Sequence, residues 1–238
     1  MTVPEYLSIS AGHLADGTNV KIRILGDAAS LAHDFAETLK LEIIAANRDN
    51  HRPAAFIIPI GPVDPYPILA QTLNHEKISC RNITFIGMDE YLDDRGDWIP
   101  ENHPLSFRGY LNRMFYDRLD PALAPPPIQR IFPDPRRLSN IPELIAQRGD
   151  GIDACFAGLG INGHLAFNEP PEPEHETETV PTLEQFANLS TRVVPLSRET
   201  RTINSVTVGG EISVGDCSRV WNQLLEFARL ETAVWPDR

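Results

Sequence analysis

Short apolar runs alternate along this chain with segments whose apolar residues recur at helical spacing. Ala55–Pro59 and Asn82–Met88 are apolar runs bounded by turn residues, which is typical of buried strands. Between such runs, apolar residues recur every four positions, as they do from Ser30 to Asn47. Alternating strands and helices are typical of βαβ units, so the sequence predicts an α/β protein with a mostly parallel sheet.

The remaining segments continue this alternation. The further predicted elements are, in chain order, a strand at Val20–Leu25, a helix through Leu69 and Leu73, a helix at Ser106–Leu119, a strand at Asp153–Leu159 and a helix at Val220–Val234. Pro121–Pro135 is rich in proline and is expected to run extended over the surface. Glu169–Glu184, rich in Pro and Glu, is predicted to be a solvated loop, with a lid over a site as the alternative.

The charge balance narrows the classes of partner. The chain has 238 residues, with 33 Asp and Glu against 21 Lys and Arg, and a formal net charge of −12. Neither nucleic acid nor an anionic membrane surface attracts a protein this acidic, although a local basic pocket for an anionic metabolite is compatible with it. The N-terminus lacks a basic segment followed by an apolar one, and no run approaches the ~20 apolar residues of a membrane span, so we expect a cytoplasmic protein.

Polar or glycine-rich residues follow three of the predicted strands. These segments are Pro59–Asp64, Met88–Tyr91 and Gly158–His164. Ligands of open parallel sheets bind beyond the carboxyl ends of the strands. If the three strands are parallel neighbours, the segments meet at one edge of the sheet and form the candidate site.

Asp89 and His164 are the candidate catalytic residues. A carboxylate at the end of a buried strand is partly desolvated, which raises its pKa and its basicity toward a carbon acid. An imidazole titrates near neutral pH and can exchange protons with a sugar ring oxygen. Glu169 can orient that imidazole, and Glu90 is expected to be the exposed neighbour of Asp89. The alternative for a lone Asp here is a helix cap or turn, and for a lone His it is a structural role.

Metal and nucleotide signatures are not recognisable in the sequence. The histidines other than His164 have no metal-ligand spacing, and the three cysteines form no CxxC pair. The GLGINGH run has neither the dinucleotide spacing nor the Lys and Ser of a P-loop.

Four motifs along the chain carry a family resemblance. They are Met88-Asp89-Glu90-Tyr91 followed by His103–Phe107 (HPLSF), Gly163–Pro170 (GHLAFNEP), Leu196–Arg201 (LSRETR) and Asn204-Ser205. Together they resemble the glucosamine-6-phosphate deaminase/isomerase family, whose relatives include the 6-phosphogluconolactonases. The GHLAFNEP run is similar to the deaminase branch, because the lactonases carry a Gly-His-Thr-Ala-Ser-type run there. The resemblance covers about residues 28–210.

The resemblance implies a three-layer α/β/α sandwich with an open, Rossmann-like sheet, in a single domain over residues 1–238. It implies conversion of an aldose amino sugar phosphate into a ketose phosphate and ammonia, without a metal or other cofactor. Asp89 would move the proton between C2 and C1, and His164 would open the pyranose ring, with Asn162 and Glu169 beside it. The implied substrate-binding residues are Gly61, Gly160, Gly163 and Arg201. The implied partner is a small sugar or sugar phosphate, and a homo-oligomer is compatible with the resemblance.

Departures from the family pattern bear on the substrate. Asn162 stands where the family has Asp, and a neutral amide cannot offset imidazolium charge. We therefore expect slower ring opening, or greater dependence on Glu169, and a gain in turnover on Asn162→Asp. The family's Thr-Gly-Ser/Gly-Thr-Pro phosphate loop reads Ile60–Asp64 (IGPVD), which lacks both hydroxyls and has a carboxylate that would repel phosphate. Val206 aligns with a phosphate-binding arginine, and the chain diverges and is shortened after about residue 210.

Two other functions are compatible with these residues. A lactone hydrolase of the 6-phosphogluconolactonase type would use His164 to activate water. A sugar-binding homologue with weakened catalysis would keep the pocket and lose turnover. The altered phosphate loop and Asn162 favour this alternative.

Overall fold

The computed structural model describes residues 8–48, 53–61, 64–132, 134–138, 141–148, 151–169, 182, 184–185, 188–207 and 219–221. Helices in these ranges include α1 (Ala28–Arg48), α2 (Tyr66–Glu76), α3 (Phe107–Met114), α4 (Ile141–Arg148) and α5 (Arg198–Thr207). The strands include β1 (Ala54–Ile58), β2 (Ile83–Gly87), β3 (Tyr91–Leu92), β4 (Arg130–Ile131), β5 (Ala154–Cys155), β6 (Val193–Pro195) and β7 (Arg219–Trp221). Short 3-10 turns cover Ala11–His13, Tyr116–Arg118 and Pro127–Gln129.

The main sheet consists of four parallel strands in the order β4-β2-β1-β5. Every residue of β1 and β2 is buried, which is why these strands are apolar throughout instead of alternating with polar residues. The two strands pair from Ala54 opposite Ile83 to Ile58 opposite Gly87. β5 pairs with β1 and β4 with β2, both in parallel, so all four strands end at the same edge of the sheet.

Helices cover both faces of this sheet. Phe56 of β1 lies in an apolar cluster with buried residues of α1, α2 and α3. The next residue, Ile57, points to the opposite face and lies in a second cluster with Ile145 of α4. Successive side chains of a strand point to opposite faces, so burial of both requires a layer on each side. The predicted α/β/α sandwich with an open, mostly parallel sheet is confirmed.

A second, antiparallel sheet has the order β3-β7-β6. Its central strand pairs Val220 with Tyr91 of β3 and with Val194 of β6. The helix predicted at Val220–Val234 is therefore wrong at Val220 and Trp221, where cross-strand pairing on both sides outweighs the helical spacing. Residues 222–234 lie outside the described ranges.

The strand predicted at Val20–Leu25 is also wrong. The segment forms no ladder with any described strand, and Val20, Ile22 and Ile24 are exposed. Alternating apolar residues favour a strand only where a neighbouring strand supplies the hydrogen bonds and a surface that buries one face.

Two further predictions hold in part. In Asp153–Leu159 only Ala154 and Cys155 form a strand, while Leu159 is exposed and bridges to Leu165 in a loop. The Pro121–Pro135 segment is more structured than expected, because a 3-10 turn directs Arg130 and Ile131 into β4 beside β2. No helix in the described part of the chain combines the length and apolar character that crossing a membrane requires.

Candidate active site

The segments that follow β1, β2 and β5 leave the sheet at one edge. β1 ends at Ile58, β2 at Gly87 and β5 at Cys155, and the three strands are parallel. The residues beyond these ends are Pro59–Gly61, Met88–Glu90 and Phe156–His164. The three segments predicted to form the site therefore begin together at the carboxyl edge, where α/β proteins bind ligands.

Asp89 is a buried carboxylate with one oxygen free of hydrogen bonds. The residue is 6% exposed, and its Oδ1 has no hydrogen-bond partner among the described residues. Burial, and then the charge of neighbouring Glu90, raise the pKa of Asp89 well above its ordinary value. A carboxylate in this state accepts a proton readily, as a general base must.

Glu90 is fully buried, which contradicts the predicted exposed position. Its carboxylate accepts hydrogen bonds from the backbone N–H groups of Tyr91, Phe107 and Arg108, at 2.8, 3.1 and 2.8 Å. The Ser106 hydroxyl donates at 3.2 Å, and the Arg108 guanidinium lies 3.3 Å away. Burial raises the pKa of Glu90, while these donors oppose the rise. Glu90 is buried because it caps the N-terminus of α3, where free N–H groups attract an anion.

Asn162 connects the imidazole of His164 to the carboxylate of Glu169. Asn162 Nδ2 donates to Glu169 Oε2 at 2.6 Å, and Asn162 Oδ1 lies 2.7 Å from His164 Nδ1. A carboxylate oxygen accepts and does not donate, so the amide nitrogen must face Glu169 and the amide oxygen must face the imidazole. His164 Nδ1 therefore carries a proton, and in the neutral ring Nε2 is the basic nitrogen.

The start of α5 completes the surroundings of the imidazole. Thr200 Oγ1 lies 3.4 Å from His164 Nδ1, and Ser197 Oγ accepts from Asn162 Nδ2 at 3.1 Å. The hydroxyl-bearing residues at 197 and 200 stand in the LSRETR motif, but sequence reasoning assigned neither to the site. Their place in a motif that carries the family resemblance was the available signal.

Gly160 leaves the space that the imidazole occupies. A Cβ at this position would lie 2.1 Å from His164 Nε2, far inside contact distance. The Gly160 N–H donates to the His164 carbonyl at 2.8 Å, and its own carbonyl accepts from Gly163 N at 3.0 Å. Gly163 has φ +85°, in the left-handed region that favours glycine. Both glycines shape the loop that holds His164.

An aromatic cluster joins the Asp89 segment to the His164 segment. The Phe167 ring lies 5.2 Å from the imidazole and 5.6 Å from the ring of Tyr91, two residues after Asp89. Tyr91 also accepts a hydrogen bond at 2.6 Å from Asn204 of α5. No hydrogen bond between Asp89 and His164 is found in the described ranges, so the two groups are related through this packing and through the shared sheet edge.

Three proteins of similar sequence are glucosamine-6-phosphate deaminases. The chain is 26% identical over 205 residues to glucosamine-6-phosphate deaminase of Mycoplasmopsis pulmonis, covering 84% of this chain and 76% of that protein. It is 27% identical over 193 residues to the deaminase of Serratia proteamaculans, covering 80% and 66%. It is 29% identical over 157 residues to that of Phocaeicola vulgatus, covering 63% and 57%. These likenesses in sequence support the resemblance to the glucosamine-6-phosphate deaminase/isomerase family. No family model matches the chain.

Two solved structures share the fold of this chain. A monomeric glucosamine-6-phosphate deaminase superposes with a TM-score of 0.61 at 20% identity, over 88% of this chain and 78% of that one. The 6-phosphogluconolactonase of Thermotoga maritima gives 0.52 at 14% identity, over 84% and 75%. At these identities the likeness concerns the fold alone. Of the three deaminases named above, the chain spans less than two thirds of the length of two, at 57% and 66%.

Two residues that the family resemblance assigned to substrate form no hydrogen bond with His164 among the described residues. Gly61 follows β1, is exposed, and has open space where a Cβ would stand. Arg201 lies on α5 and is half-buried; its Nε has no partner among the described residues. No group of three metal-ligating side chains occurs in the described part of the chain.

Glu169→Gln is expected to reduce stability at pH 5–6 and to have little effect near pH 2. Burial raises the pKa of Glu169, but the donors His164, Thr200, Asn162 and Ser197 outweigh it and lower the pKa to about 2. Because the folded-state pKa lies below the ordinary 4.5, the carboxylate stabilises the fold above about pH 4.5 and loses this effect as pH falls toward 2. The contribution is on the order of 3 kcal/mol.

Urea unfolding of both proteins between pH 2 and pH 6 measures this difference. Glu143→Gln, at an exposed position of α4, is the matched control and should leave the pH dependence unchanged. A stability difference for Glu169→Gln that does not vary with pH would contradict the assignment.

Proposed function

We propose that this protein converts an aldose amino sugar resembling glucosamine-6-phosphate into a ketose with release of ammonia, by acid–base catalysis. The observation that carries the proposal is the pair of titratable groups at one sheet edge. Asp89 has a buried oxygen without a described partner, and His164 has its Nδ1 proton held by Asn162. Aldose–ketose isomerisation needs placed acids and bases, and this pair supplies both.

His164 acts first in the proposed sequence. Its Nε2 exchanges a proton with the sugar ring oxygen, and opening of the ring exposes the C1 aldehyde. The hydrogen bond from Nδ1 to Asn162 keeps the ring in one tautomer and one orientation during this exchange. Glu169 is near enough to stabilise the imidazolium form, with its Oε2 3.5 Å from Nδ1.

Asp89 then moves a proton between two carbon atoms. The carboxylate removes the C2 proton and returns it to C1, which gives an enolamine and then an imine at C2. Water adds to the imine, and ammonia leaves to give the ketose. The raised pKa of Asp89, caused by burial and by Glu90, makes the carboxylate a stronger base toward C2.

Asn162→Asp is expected to make turnover depend more strongly on pH. Asn162 Nδ2 lies 2.6 Å from Glu169 Oε2, so a carboxylate there would put two acceptors in contact and one must take up a proton. While the pair holds that proton, the imidazole keeps its partner. When the proton is lost at higher pH, repulsion separates the pair and turnover falls by about tenfold. The hydrogen bond between Asn162 and Glu169 therefore replaces the expectation of a simple gain in turnover on Asn162→Asp with one of a pH-dependent change.

A pH profile of kcat from pH 5 to pH 9 for both proteins tests this prediction. Parallel profiles would mean that the introduced carboxylate does not interact with Glu169. A conservative comparison is Asn162→Gln, which keeps the amide but changes its reach.

One assay tests the proposed function as a whole. The protein is mixed with phosphorylated and free amino sugars, and with 6-phosphogluconolactone, and ammonia release and lactone loss are measured. Ammonia from an amino sugar supports the deaminase, and lactone loss alone would favour the hydrolase. Sugar binding without either product would indicate a homologue that binds sugar and has lost catalysis. The single domain over residues 1–238, the cytoplasmic location, the absence of a cofactor and a homo-oligomeric state stay predictions.

A further inference from the structure

The turn between β1 and α2 has an unusual composition for a ligand-binding edge. In α/β proteins, an anionic ligand group is held there by backbone N–H groups at the start of the next helix. Pro65 immediately precedes α2, and Pro67 is its second residue. Proline has no N–H, so this turn offers few donors to an anion.

The chain segment around this turn supplies no cationic side chain of its own. The sequence has no Lys or Arg between Arg52 and Lys77, a span that includes β1, the turn and all of α2. Asp64 stands just before the helix and is exposed. A carboxylate close to a helix start repels a phosphate that approaches the helix.

Asp64 is held in place by a neighbouring element. The Tyr110 hydroxyl of α3 donates a hydrogen bond to Asp64 Oδ1. Burial, and then this hydrogen bond, raise the pKa of Tyr110, so the phenol remains a donor at neutral pH. The carboxylate is therefore a fixed feature of the turn, with its second oxygen available to accept from a ligand.

Asp64 and Asp89 follow β1 and β2, which are neighbouring parallel strands, so both lie beyond the same edge of the sheet. The segment of Asp89 begins beside the end of β1, because the Met88 N–H donates to the Ile58 carbonyl at 3.0 Å. Tyr66 is buried and donates to the Pro59 carbonyl, while its ring lies 6.3 Å from that of Tyr110. A ligand bound beside Asp89 at this edge therefore has Asp64 near one of its ends.

We propose that this edge binds an unphosphorylated amino sugar, one of whose hydroxyl groups donates to Asp64. This inference rests on the proposed function, since it takes the ligand to be an amino sugar. Asp64 acts as a specificity residue in two ways. It accepts from a neutral hydroxyl, and its charge disfavours the phosphate ester of the same sugar.

Equilibrium binding to the Asp89→Asn variant tests the proposal without turnover. Calorimetric titrations compare glucosamine with glucosamine-6-phosphate, and the same pair is titrated into Asp89→Asn combined with Asp64→Asn. We expect free glucosamine to bind at least about tenfold more tightly than its phosphate, and the added Asp64→Asn change to shift this ratio toward phosphate by about tenfold.

Asp117→Asn, also combined with Asp89→Asn, is the matched control. Asp117 is exposed beside Arg81 and Arg130, which precede β2 and begin β4, at the opposite edge of the sheet. The Asp117→Asn substitution removes the same charge from the molecule as Asp64→Asn, and it should leave the ratio of the two sugar affinities unchanged. Tighter binding of the phosphate, an equal effect of the two Asn substitutions, or no binding of either sugar at millimolar concentration would overturn the proposal.

Ammonia release by the protein with Asp89 intact separates this proposal from the proposed function. Ammonia from glucosamine-6-phosphate in preference to glucosamine would support the function and contradict the specificity. A binding preference for free glucosamine without ammonia from either sugar would support the specificity and contradict the function.

Discussion

Asp89→Asn is expected to lower kcat for deamination by about 10²–10⁴-fold while leaving sugar binding largely intact. Removal of a general base has an effect of this size, and the amide keeps the shape of the carboxylate. Asp89 Oδ1 lacks a described hydrogen-bond partner, so the substitution breaks no described hydrogen bond of that oxygen. Measurement of kcat by ammonia release, with binding by calorimetry, checks both parts.

The same substitution should stabilise the protein as pH rises. Burial, and then Glu90, raise the pKa of Asp89 above its ordinary 3.8, so the folded state holds this proton more tightly than the unfolded chain. Ionisation therefore costs stability as pH rises from about 4 through the folded-state pKa. An asparagine does not ionise. The free energy of unfolding of the variant, measured with urea and compared with that of the wild type, should therefore be more favourable at pH 8 than at pH 4.

Asp117→Asn serves again as the control, since it removes an exposed carboxylate at the other edge of the sheet. Full activity of Asp89→Asn would remove this residue from the mechanism. Equal stability changes in the two variants would mean that burial of Asp89 has no energetic consequence.

Gly160→Ala is expected to lower kcat by about a hundredfold, because the new methyl group must displace His164. The added Cβ would lie 2.1 Å from Nε2 and 2.2 Å from Cε1. A reacting group moved by about 1 Å loses activity on this scale. The overpacked loop should also cost roughly 1–3 kcal/mol of stability.

Gly26→Ala is the matched control, since a Cβ at Gly26 meets no atom within 4 Å. Ammonia release and urea unfolding should be unchanged by it. Because Gly160→Ala also affects folding, kcat is measured at a temperature where unfolding curves show both variants folded. Wild-type kcat in folded Gly160→Ala would mean that the observed position of the imidazole is not needed for activity.

The parts of the fold that the sequence predicted are those where burial alone determines the pattern. β1 and β2 are buried along their whole length, so they could be recognised from continuous apolar runs without knowledge of their neighbours. Val20–Leu25 has the alternation of a strand but no described partner strand, and pairing is a property of two segments. β4 consists of two residues within a proline-rich stretch, and it forms because it pairs with β2.

The candidate site also has parts that the sequence predicts and parts that only the folded chain brings together. Asn162, His164 and Glu169 lie within eight residues of one another, so their association could be expected from the sequence. Thr200 approaches His164 from 36 positions away, and only the folded chain brings α5 to this loop. Glu90 could not be recognised as buried, because its partners are N–H groups at the start of α3.

The hydrogen bonds of Glu90 have a consequence for Asp89, the proposed catalytic base beside it. They tie the end of β2 to the backbone of Phe107, 17 positions further along the chain. The main chain at Asp89 is thus held on both sides, by the strand before it and by the hydrogen bonds of Glu90 after it. A base held this rigidly needs little reorganisation when the transition state forms. The sugar must therefore adopt the geometry that the protein sets, and we expect the enzyme to accept a narrow range of substrates.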